Sequence, residues 1–357
     1  MAGQYRNLLF LLIASFCLTC CANVIFAQPR MSKEMKRLED MKKKDFENFK
    51  LSKPKNVEYF LNGEKKGFSM FDNKGNCIEN GLYIKGNKIT KQKFEYDSFN
   101  NITMQTNLKE DGSTGFTKKN AYNIEGKLVS SENNYYDGKP GDKEYYKYDE
   151  RGNLIEIDYN LSTGKFKYYF DYDSNNKKIS EKSYLEDSLY YTGIMIYDDK
   201  NYLVEEIKNY ISAESVDTIR YSYKYDNKGN LLEFSKVSPD TNETFTEKYK
   251  YDAKDNNIEY ASYNSRGNLE YRYVYIYDER NNLKELSVYD GNDALDRNES
   301  YKYDNDYHII ENITSNNDNS VTGKVLKKYD KKGNVVEETE EAGGKTDKWM
   351  YIYEYYE

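Results

Sequence analysis

The sequence predicts an all-β fold: an elongated antiparallel meander of about twelve stacked β-hairpin repeats of about 26 residues, forming an open curved sheet or partial β-shell. Three observations carry this. A phrase close to Tyr-Asp-x-x-Gly-Asn returns from Phe71 to Tyr329, with a clipped unit at Tyr353, which marks one supersecondary unit copied along the chain. Aromatic residues alternate with Lys just ahead of each phrase, the period of a β-strand. The mean hydropathy is −1.01, yet the chain holds 40 Tyr and 15 Phe, so rings rather than aliphatic side chains must supply the buried surface.

Each element of the unit has a chemical reason. Taking the aromatic of the phrase as the anchor, the residue two before it is commonly a second aromatic, as in Tyr146-Lys147-Tyr148, Tyr223-Lys224-Tyr225 and Tyr249-Lys250-Tyr251. That spacing places rings on one face of a strand and lysines on the other. The Asp after the anchor accepts the N–H two residues on and starts a tight turn. Four residues past the anchor the chain carries Gly, Asn or Asp, with Tyr307 the exception; these residues tolerate positive φ, as a type I turn followed by a bulge requires. The structural turn residues read in this way include Asp149, Gly152, Asp226, Gly229, Asp330 and Gly333.

Apolar residues seven past the anchor, such as Ile155 and Leu232, open a second strand, and the Glu that follows, such as Glu156 and Glu233, faces the Lys of the first strand. The connections to the next unit, among them Asp137–Pro140, Asn264–Gly267 and Asp290–Asn292, vary in length and read as loops. One hairpin cannot bury enough surface to order itself, so neighbours must stack.

Residues 1–27 read as a signal peptide: Arg6 precedes the apolar run Leu8–Leu18, and Ala27 offers the cleavage site. Lipidation at Cys21, after Leu18-Thr19-Cys20, is the alternative. Residues 28–50 read as a charged linker or amphipathic helix, and 51–357 as the repeat domain. Only Cys77 of the four cysteines falls in the repeats, where it stands as a small hydrophobe and can form no intramolecular disulfide.

The phrase Tyr-x-Tyr-Asp-x-x-Gly-Asn-Leu-x-Glu, cleanest at Tyr146–Glu156 and Tyr223–Glu233, resembles the Rhs or YD repeat of bacterial secreted and surface proteins, over residues 51–357. The resemblance implies hairpins that coil into a hollow β-shell, which in large members encloses a toxin; shorter members are secreted proteins. Two departures turn the expectation away from carriage of a C-terminal toxin: the number of units is small, and the chain ends in the strand-like Tyr351-Ile352-Tyr353.

Catalytic and metal chemistry is not expected. His308 is the sole histidine and occupies a turn position that is Asn in other units. Asp304-Asn305-Asp306 fails as a calcium loop, since Ile309 and Ser315 stand where Gly and Glu are needed. No cofactor is implied. A net charge of −8 repels phosphate, so nucleic acid is not an expected partner. The expected role is a non-enzymatic exported binding module of the cell envelope or exterior, taking a glycan or surface protein, and touching membrane only through a lipid at Cys21. Its candidate ligand face is the tyrosine row Tyr148, Tyr225, Tyr251, Tyr277 and Tyr303. The alternatives are a structural envelope or matrix element, or a remnant of a toxin-delivery shell.

Overall fold

The computed structural model describes residues 49–357, apart from 85–87, 137–140 and 239–242. The signal peptide, Cys21 and most of the 28–50 segment lie outside the described residues. Residues 49–51 form the end of a helical turn, and Phe49 packs edge-on against Phe71 with ring centroids 5.2 Å apart.

Twenty-four strands follow, from β1 (Pro54–Leu61) to β24 (Lys345–Tyr355). Each pairs antiparallel with its neighbours in sequence, and β24 returns to pair with β1 through Val57↔Tyr353, Glu58↔Ile352 and Tyr59↔Tyr351. The sheet is therefore closed, and the expected open curved sheet is corrected by this pairing. The physical reason is the edge: the outer N–H and C=O groups of Tyr351–Tyr353 would otherwise stand unpaired, and β1 offers the matching row. An even strand number lets an up-and-down meander meet itself antiparallel. At ~4.8 Å between strands, the perimeter is roughly 115 Å and a round barrel of that size is ~37 Å across. About eight strands suffice for side chains to fill a barrel, so this one encloses a lumen.

The expected turn forms at every repeat. In the unit anchored by Tyr148, Asp149 N–H donates to Asn153 O at 2.9 Å and Gly152 N–H donates to Asp149 O at 3.0 Å. Asp149 Oδ1 accepts the N–H groups of Arg151 and Asn153, and its Oδ2 accepts the Asn153 amide. Asp226 is held in the same way by Lys228 and Asn230, whereas Asp330 Oδ1 accepts the N–H groups of Lys332 and Asn334 and its Oδ2 accepts the Tyr355 hydroxyl. The residue four past the anchor has φ between 62° and 85° in all eleven turns. That includes Tyr307 at 70°: the bracing by Asp304 imposes the left-handed conformation even on the one residue that disfavours it.

Each anchor coincides with a register shift, for example between Lys147 and Tyr148, which lets the strand leave the turn with its pleat intact. Lys147 then stands opposite Glu156, Lys224 opposite Glu233 and Lys250 opposite Glu259, with N–O distances of 2.9, 2.6 and 2.8 Å. The charged rows meet as the sequence predicts. These lysines are well exposed, the side chain of Lys250 at 67%, whereas Phe94, Phe170 and Tyr223 on the opposite face are buried. Side chains converge on the inside of a closed sheet, so the aromatic face is concave and the Lys/Glu face convex.

The strand ladder is thinnest between β7 (Leu128–Tyr135) and β8 (Lys143–Tyr148), which share three partner pairs, Ser130↔Tyr145, Ser131↔Glu144 and Glu132↔Lys143.

Candidate functional site: the concave tyrosine wall

The anchor tyrosines are half-buried on the concave side, and their hydroxyls are used between repeats. Tyr148 donates to Leu128 O at 3.0 Å, Tyr251 to Leu231 O at 2.9 Å, Tyr277 to Asn257 O at 2.9 Å and Tyr303 to Leu283 O at 2.8 Å. Tyr225 packs its ring against Tyr202, centroids 5.1 Å apart. The acceptor is each time six residues past the preceding anchor, so every anchor ties its own turn to the turn before it. The expected ligand row is thus also a structural row. The carbonyls are free to accept because the ladder to the following strand begins two residues later, at Glu233↔Lys248, Glu259↔Val274 and Glu285↔Ser300.

A second link joins successive turns. Asn153 donates its amide to Asn176 Oδ1 at 3.0 Å, Asn230 to Asp255 Oδ1 at 3.1 Å and Asn256 to Asn281 Oδ1 at 2.6 Å. The residue five past one anchor therefore faces the residue four past the next. Gly accommodates a large residue at two of these places: a Cβ on Gly229 would lie 2.4 Å from the Tyr202 hydroxyl, and one on Gly152 would lie 2.1 Å from Lys127 Nζ, whereas Lys177 faces Asn201 and donates to its carbonyl. Sequence reading assigned these glycines to the turn alone; the size of the residue 25 or so positions upstream was the signal that would have revealed their second role.

The densest aromatic group lies on β16 (Glu243–Tyr251), β17 (Asn257–Tyr263) and β18 (Leu269–Tyr277). Cross-strand pairing brings Tyr249 opposite Tyr260 and Tyr260 opposite Tyr273. Ring centroids are 5.2 Å apart for Tyr249–Tyr260, 5.7 Å for Tyr260–Tyr273, 5.5 Å for Tyr271–Tyr273 and 6.5 Å for Tyr273–Tyr275. Carboxylates are set among the rings: Glu247 accepts the hydroxyls of Tyr249 and Tyr260, and Glu299 accepts that of Tyr301 at 2.7 Å. Burial, reinforced by the bond from Tyr271 and the charge of Glu247, pushes the Tyr260 hydroxyl well above its ordinary range. The hydroxyls of Tyr249, Tyr260 and Tyr301 are spent on carboxylates, which leaves the electron-rich ring faces and the acid groups as the character of the wall.

A buried ionic pocket occupies the same face farther along. Glu206 lies 3.2 Å from Lys208, and Lys178 lies 2.5 Å from Glu181, which also accepts the Tyr191 hydroxyl. Burial raises the Glu206 carboxyl above the usual range, with Lys208 opposing the shift. Both acids are almost fully covered, each beside its own lysine within the wall.

Asp304, Asp306 and His308 offer donor atoms within 4.8 Å of one another. His308 Nδ1 lies 3.0 Å from Asp304 Oδ2, its N–H donates to Asp304 Oδ1, and its ring stacks on Tyr329 with centroids 4.5 Å apart. The imidazole takes the place that the Asn amide holds in other turns. Cys77 is buried beside Phe71 and Phe94, in the hydrophobic place the sequence assigned to it.

Among known proteins, the Teneurin YD-shell family model matches residues 42–169. No curated protein matches the chain. The crystal structure of TcdB2-TccC3-Cdc42 is similar at 13% identity and a TM-score of 0.35, over 83% of this chain and 19% of that one. TcdB2-TccC3 without its hypervariable C-terminal region gives 13% identity and a TM-score of 0.35, over 82% and 18%. A porin-like protein from Bacteroides uniformis is similar at 12% identity and a TM-score of 0.26, over 66% and 94%. The chain thus spans about a fifth of the length of the first two, 19% and 18%. The Tyr-Asp turn repeated from Phe71 to Tyr329 and the match over residues 42–169 make the chain similar to the YD-shell family.

Proposed function

We propose that this protein is a non-enzymatic, exported YD shell: a single closed barrel related to the delivery shells of the family it resembles, which acts by what its lumen holds. The observation that carries the reading is the β1–β24 pairing, which turns a strip of hairpins into a container with two mouths. The anchor hydroxyls, the turn carboxylates and the convex Lys/Glu pairs are engaged in holding that container together. The mid-strand position of the exposed Arg220 and Lys248 on the convex face also favours an aqueous exterior, because a lipid-facing barrel carries an apolar band there. Contact with membrane through a lipid at Cys21 is the variant form of this export reading, and nucleic acid is not a partner.

Thiol labelling tests the container. Leu286→Cys places a thiol on the concave face and Lys147→Cys one on the convex face, and maleimides of increasing size are then applied to the folded chain. A hollow barrel labels at both positions with a small maleimide and at Lys147→Cys alone with a polymer-linked one. Equal labelling by the large reagent at both positions contradicts the reading.

A second reading, glycan binding along tyrosines, draws support from the half-buried ring cluster around Tyr260. It expects binding that strengthens with polymer length and changes little with salt.

A further inference from the structure

We propose that the concave wall of β16–β18, continued through β19 (Leu283–Tyr289) and β20 (Leu295–Tyr303), is a binding surface for an extended cationic peptide, one carrying Arg or Lys side chains into the lumen. The inference rests on the container reading above and adds the chemical class of the guest.

Three observations point to a cation. The first is the ring array: Tyr249, Tyr260, Tyr271, Tyr273 and Tyr275 form a continuous chain of contacts between 5.2 and 6.5 Å. Ring faces carry negative electrostatic potential, and a guanidinium or ammonium seated over them within ~6 Å is attracted, more strongly as water is excluded. This wall already shows the affinity on its other face, where the guanidinium carbon of Arg272 sits 4.0 Å from the Tyr289 ring centroid.

The second observation is the placement of Glu247 and Glu299 within the array. Their oxygens take phenolic hydrogens, so the hydroxyls point at the acid groups and the acid groups lie beside the rings. Arg297 is the cation set among these groups, 3.2 Å from Glu299, and Lys236 lies on the same face one strand beyond β16, opposite Phe245. An incoming Arg can exchange with Arg297 for Glu299 while stacking on Tyr273.

The third is the charge of one mouth. The connections opposite the Tyr-Asp turns carry, among the described residues, nine acids, Asp187, Glu214 and Asp318 among them, against Lys109 and Arg266. The Tyr-Asp rim carries sixteen acids and ten bases, so both mouths are net acidic and the opposite one holds fewer bases to screen its acids. An acidic mouth leading to an acid-and-ring wall draws a cationic chain inward and repels an anionic one. An extended peptide of ~3.3 Å per residue presents alternate side chains at the ~7 Å spacing of alternate residues on the wall itself.

Fluorescein-labelled hexa-arginine, titrated into the full-length chain and followed by anisotropy, tests the inference, with hexa-glutamate and chitohexaose as competitors. Saturable binding of hexa-arginine is expected, weakened about tenfold or more between low and physiological salt and unaffected by either competitor. Glu247→Gln and Glu299→Gln are each expected to weaken it by about fivefold or more, while Glu259→Gln, on the convex face, leaves it unchanged. Melting curves of the variants show that the fold is kept. Absent binding, equal loss in Glu259→Gln, or displacement by chitohexaose overturns the cationic-guest inference. If the Leu286→Cys labelling still shows a size-limited lumen, the container reading survives that failure; if the large maleimide reaches Leu286→Cys, the container itself has failed.

Discussion

The Tyr251 hydroxyl donates to the carbonyl of Leu231 at 2.9 Å, across the boundary between two repeats. The bond recurs at anchor after anchor, and it explains why the position is Tyr in preference to Phe through most of the array. Tyr251→Phe removes the donor and leaves a partly buried carbonyl without it, at an expected cost of ~1 kcal/mol; Tyr251→Ala, which also removes the ring, is expected to cost ~3 kcal/mol or more. Denaturant unfolding of the two variants checks the order, and equal stability of Tyr251→Phe and the parent refutes a structural role for the hydroxyl.

The same donor predicts an alkaline transition. Burial pushes the Tyr251 hydroxyl up to about 12, above its unfolded value of ~10. A raised folded value means stability fully present below pH ~10 and lost as pH rises toward 12. Melting temperature is therefore expected to fall steeply between pH 10 and 12, in step with the phenolate absorbance. A melting temperature that stays flat across this window contradicts the assignment.

The acid limb has the opposite sign. The amide and N–H groups of Asn153 hold the Asp149 carboxyl below its usual range, and those of Asn101 do the same for Asp97. A depressed folded value gives stability that is present above the unfolded value of ~3.9 and disappears as pH falls below it. Unfolding on acidification below pH 4 is expected, and Asp149→Asn, which keeps one acceptor oxygen and has no proton to gain, should lessen that dependence. An unchanged acid profile in Asp149→Asn would speak against the turn lock.

The facing of Tyr202 and Gly229 gives a pairing rule between turns. Gly229→Asn retains a residue suited to positive φ, yet its Cβ would meet the Tyr202 ring, so a loss of ~1–3 kcal/mol is expected. Tyr202→Asn combined with Gly229→Asn recreates the Asn pair seen at Asn256 and Asn281 and should recover most of the loss. Gly152→Asn is expected to be milder, because the side chain in its way is the mobile end of Lys127. Additive losses in the Tyr202/Gly229 double variant would refute the rule.

Much of the wall was legible in the sequence, for a physical reason: each signal was local to one repeat. Alternation in Tyr249-Lys250-Tyr251 gave the two faces, Asp226 and Gly229 gave the turn, and Lys224 with Glu233 gave the register. Most of the features that were missed join residues on different strands. Closure depends on β1 meeting β24 across nearly three hundred residues, and no local pattern in Tyr351–Tyr353 distinguishes a terminal edge from a paired one. The Tyr251–Leu231 bond uses a backbone carbonyl, which has no side-chain signature. The stretch Asn264–Gly267, read as a variable loop, makes with Asn268 the same five-residue turn as the repeats, with Asn264 N–H to Asn268 O at 2.9 Å; its Asn-x-x-Gly-Asn pattern was the available signal. The tyrosine wall was expected as a row of anchors, whereas its densest part combines Tyr249, Tyr260 and Tyr273 from three neighbouring strands.

Export is checked by mass spectrometry of the N-terminus of the protein made in its native cell. A chain starting at Gln28 is the expected result, a diacylated Cys21 is the lipoprotein alternative, and an intact Met1 in the soluble pool contradicts both.

Cross-linking of the barrel seam tests the account most directly. Glu58 and Ile352 are paired across β1 and β24, so Glu58→Cys with Ile352→Cys should be joined by a short bifunctional thiol reagent in the folded chain, as read from the linked tryptic peptide. Glu58→Cys with Glu205→Cys, placed on a distant strand, should give no such peptide. Efficient linkage of the first pair alone, with a melting temperature that rises, is the predicted result; failure of the first pair to link in a chain that remains folded would show that the sheet is open and would contradict the shell.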